Sequence, residues 1–272
     1  MTESKSPLFA KEIKLFIFLF GVFLTNALLA EFVGVKIFSL EKSLGFQPVE
    51  WNLLGIPVSF NLTAGVILWP VVFILTDIVN EYFGPKGVRL ISFTTAFLIA
   101  FSFAMVQWAI HLVPADFWPT SHLPPATDIS FEQKKNLVGN YDAAYRLIFG
   151  QGLWIIIGSL VAFIVGQLVD VFIFQSIKRK LGSGKIWLRS TGSTIVSQLI
   201  DSFIVLFIAF YIGAGWSMKT VLAICTINYF YKFFIAVGLT PLLYIIHWAI
   251  ESYLGKEKSQ ELRDKAMHQG ID

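Results

Sequence analysis

Charge is scarce in this chain. Asp, Glu, Lys and Arg make up only 14% of its 272 residues, where a soluble domain carries about 25%, and 56% are hydrophobic with a mean hydropathy of +0.69. That balance excludes a water-soluble globular fold. Cysteine is nearly missing: Cys225 stands alone, which rules out an intrachain disulfide and any cysteine-rich metal site and leaves it as a small apolar helix residue. His111, His122, His247 and His268 are scattered, with no second His or carboxylate at metal-ligand spacing, so no metal site assembles locally. A complete nucleotide motif is also lacking. Gly182-Ser183-Gly184-Lys185 resembles the end of a phosphate-binding loop, but the first glycine of that pattern falls on Arg179 and Ile186 replaces its Ser/Thr, so it reads as a basic turn. No nucleophile–base pair marks an enzyme, and no cofactor is implied.

What the chain does have is long apolar runs carrying 27 Phe and 8 Trp. Six are long enough for a hydrocarbon core about 30 Å thick at about 1.5 Å rise per residue: roughly residues 15–38, 57–79, 90–113, 147–177, 186–212 and 221–250. The fold class expected is an all-α membrane protein, a single transmembrane domain over residues 1–272 with six transmembrane helices. Placing both termini in the cytoplasm puts 14 of the 21 Lys and Arg inside, including the Lys178–Arg189 cluster and those from Lys256 onward, as the positive-inside bias requires. That bias accounts for the net charge of +3, so no nucleic-acid partner is needed. The first run is basic and then apolar but has no small-residue cleavage site, and reads as an uncleaved helix. Residues 114–146 form an external loop whose Trp118 and Phe117 suit an interfacial belt, and residues 256–272 read as a charged cytoplasmic tail, a frayed helix extension.

Within the apolar segments stand Asp77, Asp170, Asp201 and Lys232. An ionisable group at the bilayer centre costs about 2.5–3.5 kcal/mol even on a permissive insertion scale, so these four mark a polar site inside the bundle. Asp77, Asn80 and Glu81 fall at i, i+3 and i+4 on one helical face; Glu81 is expected at the headgroup level. Pro70, seven residues before Asp77, is expected to kink that helix. An internal echo follows. Gln167-Leu168-Val169-Asp170-Val171-Phe172-Ile173 and Gln198-Leu199-Ile200-Asp201-Ser202-Phe203-Ile204 share five of seven residues, and in each the amide and the carboxyl project from one face. Helix–helix hydrogen bonding is the plainer use of such pairs; two copies of so costly a pair favour ligand contact. In the last run Asn228 and Tyr229 precede Lys232, and Pro241 is expected to break the helix. Lys232 needs a carboxylate at its own depth, and Asp201 is the first choice.

Thr25-Asn26, the run from Leu75 to Gly84 (Leu-Thr-Asp-Ile-Val-Asn-Glu-Tyr-Phe-Gly), Gly166-Gln167-Leu168-Val169-Asp170, Ser197-Gln198-Leu199-Ile200-Asp201-Ser202 and Asn228-Tyr229-Phe230-Tyr231-Lys232 closely resemble the queuosine precursor transporter family, of the vitamin uptake transporter group of bacterial inner-membrane proteins. The resemblance runs through all six spans; the segment 114–146 is longer than in a compact member. It implies a fold similar to the substrate-binding subunits of energy-coupling-factor transporters. It also implies uptake of 7-cyano-7-deazaguanine, 7-aminomethyl-7-deazaguanine or queuine across the bacterial cytoplasmic membrane. The chemistry agrees, because a carboxylate accepts from the N–H donors of a guanine edge while an amide donates to its carbonyl. On this reading Gln167 with Asp170 and Gln198 with Asp201 hold the base, and Lys232 orients a carboxylate. Asp77 with Asn80 serves a cytoplasmic gate or proton path, and Asn26, Asn228 and Tyr229 complete the substrate site. The partners expected are the small deazaguanine, the lipid bilayer and a coupling proton or sodium ion; a homo-oligomer is compatible with this. The runner-up is a binding subunit driven by a separate ATP-hydrolysing motor, and more remote are an intramembrane enzyme and a structural scaffold.

Overall fold

A computed structural model describes residues 10–116, 118, 141–150, 152–181 and 186–269. Most of the expected external loop therefore lies outside the described residues, as does the basic turn at 182–185. Among the described residues, five helical stretches are long and apolar enough to cross a membrane: Lys11–Val33, Trp69–His111, Tyr141–Leu181, Ile186–Ile212 and Met218–Gly238.

Helix α1 (Lys11–Val33) buries Leu15, Leu19, Phe23, Ala27, Ala30 and Glu31, a stripe at intervals of three and four that faces the bundle. It ends at Gly34, whose N–H bonds back to Ala30. Between α1 and the next long helix the chain makes extended structure instead of continuing into the membrane. Strand β1 (Ile37–Ser39) and a one-turn helix α2 (Leu40–Ser43) come first, then β2 (Trp51–Leu53), β3 (Ile56–Val58) and β4 (Asn61–Thr63). β1 pairs antiparallel with β4, and β2 with β3. The β2–β3 hairpin turns through Leu54 and Gly55, both at positive φ (55° and 82°), the pattern of a two-residue primed turn. Glu41 ties this cap together, accepting from the Phe60 N–H at 2.8 Å and the Ser39 hydroxyl at 3.1 Å. The span expected from residue 57 therefore starts later, because residues 57–63 pair as strands and a 3-10 turn (Ala64–Ile67) precedes the helix. That turn presses onto the end of α1: a Cβ on Gly65 would lie 2.5 Å from the Ala30 carbonyl oxygen.

Helix α3 (Trp69–His111) carries Pro70 in its first turn, where a missing N–H loses no bond. Pro70 thus starts the helix, and the expected kink there does not occur. The break falls at Gly84 (φ 72°, ψ −175°), followed by Pro85. Thr76 and Ser92 would stand about 24 Å apart on a straight helix, yet both hydroxyls donate to one oxygen, Gln167 Oε1, at 2.8 and 3.3 Å. α3 is therefore a hairpin of two arms folded back on Gly84, which occupies backbone space that is essentially glycine-only.

Helix α4 (Tyr141–Phe149) precedes α5 (Leu153–Leu181), and α5 lies antiparallel against α6 (Ile186–Leu206), which continues as a π-helical turn over Phe207–Ile212. α7 (Met218–Gly238) runs into α8 (Thr240–Leu254) through Leu239. The break expected near Pro241 is there, with the proline in the first turn of α8. α9 (Lys256–His268) is not frayed. It folds against the Gly84 turn with Ser259 and Ala266 fully buried, Leu262 on the core, and Lys258 bonded to Glu12 of α1 at 3.1 Å. Arg263 of α9 reaches Glu251 at 2.7 Å and His247 at 2.9 Å on α8.

Candidate functional site

Small residues on α5 set the geometry. Gly158, Ala162 and Gly166, four apart, let α6 approach closely: a Cβ at Gly158 would stand 3.1 Å from the Val205 carbonyl, and one at Gly166 would stand 3.5 Å from Asp201 Cβ. Small residues at such spacing allow close helix contact inside membranes. Because the helices run antiparallel, Asp201 faces Gly166 while Asp170, a turn further along α5, faces Ser197. The two Gln-x-x-Asp copies thus lie at different depths, and the polar side chains sort into three layers from the Gly84 end to the Gly34 end.

The first layer is sealed. Glu81 is fully buried and sits between Lys178 (3.1 Å) and Arg189 (2.7 Å), and Lys178 also donates to the Glu81 carbonyl at 3.1 Å. Asn80 accepts from Gln175 at 2.6 Å beside it. Glu81, expected at the headgroup level, is enclosed by protein, where two cations from α5 and α6 hold it.

The second layer joins Asp77 of the first α3 arm to Asp170 of α5. Both are buried, and their side chains are within hydrogen-bonding reach of each other. Ser190 and Thr194 (3.3 Å for the latter) donate to Asp77 Oδ2, and Ser197 donates to Asp170 Oδ1 at 3.0 Å.

The third layer opens. Lys232 donates to Asp201 at 2.6 Å, the pairing expected from depth, and both remain partly exposed, 11% and 18%. They border a cavity of about 380 Å³ whose lining includes Glu31, Trp69, Ser159, Ser202, Phe210 and Asn228. A second pocket of about 30 Å³ lies between this layer and Asp77, lined by Ser190, Thr194 and Gln198 among others. Trp69 and Lys232 line both spaces, so they form part of the wall between them.

Of the ten residues read from the sequence, Asp201, Asn228 and Lys232 meet at the larger cavity, and Asp77 and Gln198 reach the smaller pocket. Asp170 lies just behind Asp77. Gln167 is turned to Thr76 and Ser92, fastening the α3 hairpin to α5, and Asn80 is turned to Gln175. Asn26 bonds the Val22 carbonyl of its own helix, and Tyr229 packs toward Phe233 with ring centroids 6.5 Å apart; neither lines the two spaces. The physical reason is rotational: Tyr229 follows Asn228 by about 100° around α7. Sequence reading passed over Glu31, which is 7% exposed, accepts from the Ser159 hydroxyl and lines the larger cavity. Its signal was the one applied elsewhere, a carboxyl inside an apolar run.

Residues 63–246 match the family model described as putative vitamin uptake transporter. Over 175 residues the chain is 33% identical to the probable queuosine precursor transporter of Bacillus subtilis (strain 168), covering 61% of this chain and 66% of that protein. Over 180 residues it is 27% identical to the probable queuosine precursor transporter of Haemophilus influenzae, covering 66% of this chain and 65% of the relative. The chain thus spans slightly under two thirds of the length of these curated relatives. No solved structure matches it.

Proposed function

Since the chain belongs to the putative vitamin uptake transporter family, a family of multi-pass membrane transporters, we propose that it imports queuosine precursors across a bacterial cytoplasmic membrane. The candidates are 7-cyano-7-deazaguanine, 7-aminomethyl-7-deazaguanine and queuine, and an ion gradient supplies the driving force. Six crossings serve this: α1, the two arms of α3, α5, α6 with its π turn, and α7 continued by α8, an arrangement like that of energy-coupling-factor substrate subunits. Lys11, Lys14, Lys86, Arg89, Lys178, Arg179 and Lys180 cluster toward the Gly84 end, which the positive-inside bias assigns to the cytoplasm along with both ends of the chain. The larger cavity then faces outward.

One observation carries the substrate reading: the 380 Å³ cavity combines a carboxylate–lysine pair, a second carboxylate and an amide with two aromatic rings. Its size falls in the usual range of about 300–1,000 Å³ for small-molecule sites. Asp201 accepts the paired N–H donors of a deazaguanine edge, while Lys232 and Asn228 donate to its carbonyl. Trp69 and Phe210 offer stacking faces worth about 1–3 kcal/mol per ring. Asp170 and Gln167, buried behind the cavity, are left to other work. Uptake of labelled 7-aminomethyl-7-deazaguanine by the purified protein in liposomes, with an ion gradient and no ATP, tests this. Accumulation supports the proposal. Uptake seen only with an added ATP-hydrolysing partner sinks gradient coupling in favour of the binding-subunit reading, and no interaction with any of the three bases sinks the substrate assignment.

A further inference from the structure

Asp77 and Asp170 are the acidic pair that the substrate reading leaves without a task. Resting on that transport reading, we propose that they form a proton-binding site through which a transmembrane proton gradient drives the carrier.

An ionised carboxyl group only accepts; two carboxyls bond to each other only with a proton between them. Asp77 and Asp170 are in reach of each other, and the hydroxyls of Ser190, Thr194 and Ser197 fill one oxygen of each. Asp77 Oδ1 and Asp170 Oδ2, both buried, are left with no other donor. A single proton held by the pair supplies what the surrounding hydroxyls do not.

The neighbouring charges leave that task to the proton. On the same α3 arm Glu81 is one turn away, and it takes Lys178 of α5 and Arg189 of α6. Lys232 of α7 lines the pocket at Asp77 but is bonded to Asp201 of α6. α8 contributes Thr240, which bonds Thr191 of α6. Two unscreened carboxylates in contact at low dielectric repel strongly, so the pair holds at least one proton while it is closed.

A second observation points the same way. The pocket of about 30 Å³ beside Asp77 is large enough for a water molecule, which needs about 10–15 Å³ of such space. Gln198, 3% exposed, lines it, and its Oε1 has no donor. A water there gives Gln198 its hydrogen bond and leads protons from the Lys232–Trp69 wall to Asp77. On the far side the Glu81–Lys178–Arg189 layer shuts the pair from the Gly84 end. In this conformation the pair is closed toward the Gly84 end and lies nearest the cavity side, behind Trp69 and Lys232; coupling then requires a second state that opens the opposite side. The pair bridges two helices, α3 and α5. Loss of the proton to cytoplasmic water leaves like charges in contact that push those helices apart.

The test uses the full chain in liposomes containing a pH-sensitive dye. The substrate is 7-cyano-7-deazaguanine, which has no amine to confuse proton counting. With a one-unit gradient, acid outside, wild type accumulates substrate up to about tenfold per coupled proton, and substrate supplied from outside without an imposed gradient acidifies the interior. Asp77→Asn and Asp170→Asn keep exchange of internal for external substrate but accumulate to no more than about onefold and give no acidification. Asp77→Glu restores part of both. Accumulation or acidification undiminished in the Asn variants overturns the proposal, as does wild-type accumulation driven by a sodium gradient with a silent dye. Where a variant also loses exchange, the wild-type dye and sodium results decide alone. If wild type neither accumulates nor exchanges a deazaguanine, the transport reading itself falls, an outcome distinct from exchange without proton movement.

Discussion

Glu81 and Asp201 are both carboxylates bonded to cations inside one helical bundle, yet their surroundings differ. Glu81 has a cation on either side, from two helices, and no exposure; Asp201 has one lysine, 18% exposure and a cavity beside it. The first arrangement leaves no face for a ligand, and the second does. The contrast separates a lock from the proposed binding site more clearly than residue type or depth does. Between them Asp77 and Asp170 have hydroxyls and each other, which suits a group that changes its proton count.

The largest effect that would sharpen the contrast is on stability. Glu81→Ala leaves Lys178 and Arg189 buried without their carboxylate, an uncompensated charge worth about 3–5 kcal/mol, and should lower the thermal midpoint in detergent far more than Asp201→Ala does. Equal losses would erase the distinction between lock and site. Next in size is ligand selectivity. Glu31→Gln removes one of two carboxylates from the cavity and should weaken binding of the cationic aminomethyl base about tenfold, roughly 1.4 kcal/mol, with little change for the neutral cyano base. A uniform loss for both would mean that Glu31 shapes the cavity and does not read charge. Gly84→Ala should cost about 1–3 kcal/mol, because it forces an L-residue into backbone space that is essentially glycine-only. Unchanged unfolding would show that the hairpin does not depend on that turn.

The smallest effect concerns α9. Hydrogen bonds from Lys265 and then Lys258 hold the Glu261 carboxyl below its usual range, and Glu12 and then Glu261 raise Lys258. The Glu261 contribution is present above its unfolded value near ~4.3 and is lost as pH falls through the depressed folded value; that of Lys258 is present below ~10.4 and is lost as pH rises through the elevated one. Amide protection of residues 256–268 should therefore be greatest between those limits and should weaken modestly in 1 M salt, where the screening length is about 3 Å. Protection indifferent to both would leave the docking of α9 to Ala266 and Leu262.

Much of this interior was legible in the sequence, for physical reasons. The cost of charge in hydrocarbon picked out Asp77, Asp170, Asp201 and Lys232, and depth alone paired the last two. Helical periodicity placed Asp77, Asn80 and Glu81 on one face, and the structure buries all three, Asn80 with Glu81 in one layer and Asp77 in the next. What escaped depended on rotation and on contacts distant in sequence. Gln167 and Asp170 share a face with the geometry expected of a ligand pair, but only the α3 hairpin reveals that Thr76 and Ser92 already occupy Gln167. Strands of three residues between 37 and 63 are too short for periodicity to mark. Pro70 seven residues before an aspartate looks like a kink until the preceding 3-10 turn shows that the helix begins there. Lys256–His268, mostly polar with only Leu262, Ala266 and Met267 apolar, gave no sign that Gly84 offers a surface for Ala266.

The central claim is that the cavity beside Asp201 and Lys232 receives a flat, guanine-like base. Calorimetric titration of 7-aminomethyl-7-deazaguanine into detergent-purified protein, wild type against Asp201→Asn, tests it most directly. Charge-assisted hydrogen bonds are worth about 1.5–3 kcal/mol, so wild type should bind saturably, and the variant should bind at least about tenfold more weakly while its thermal midpoint scarcely moves. Equal affinity in the two proteins, or no binding to a folded wild type, would contradict it.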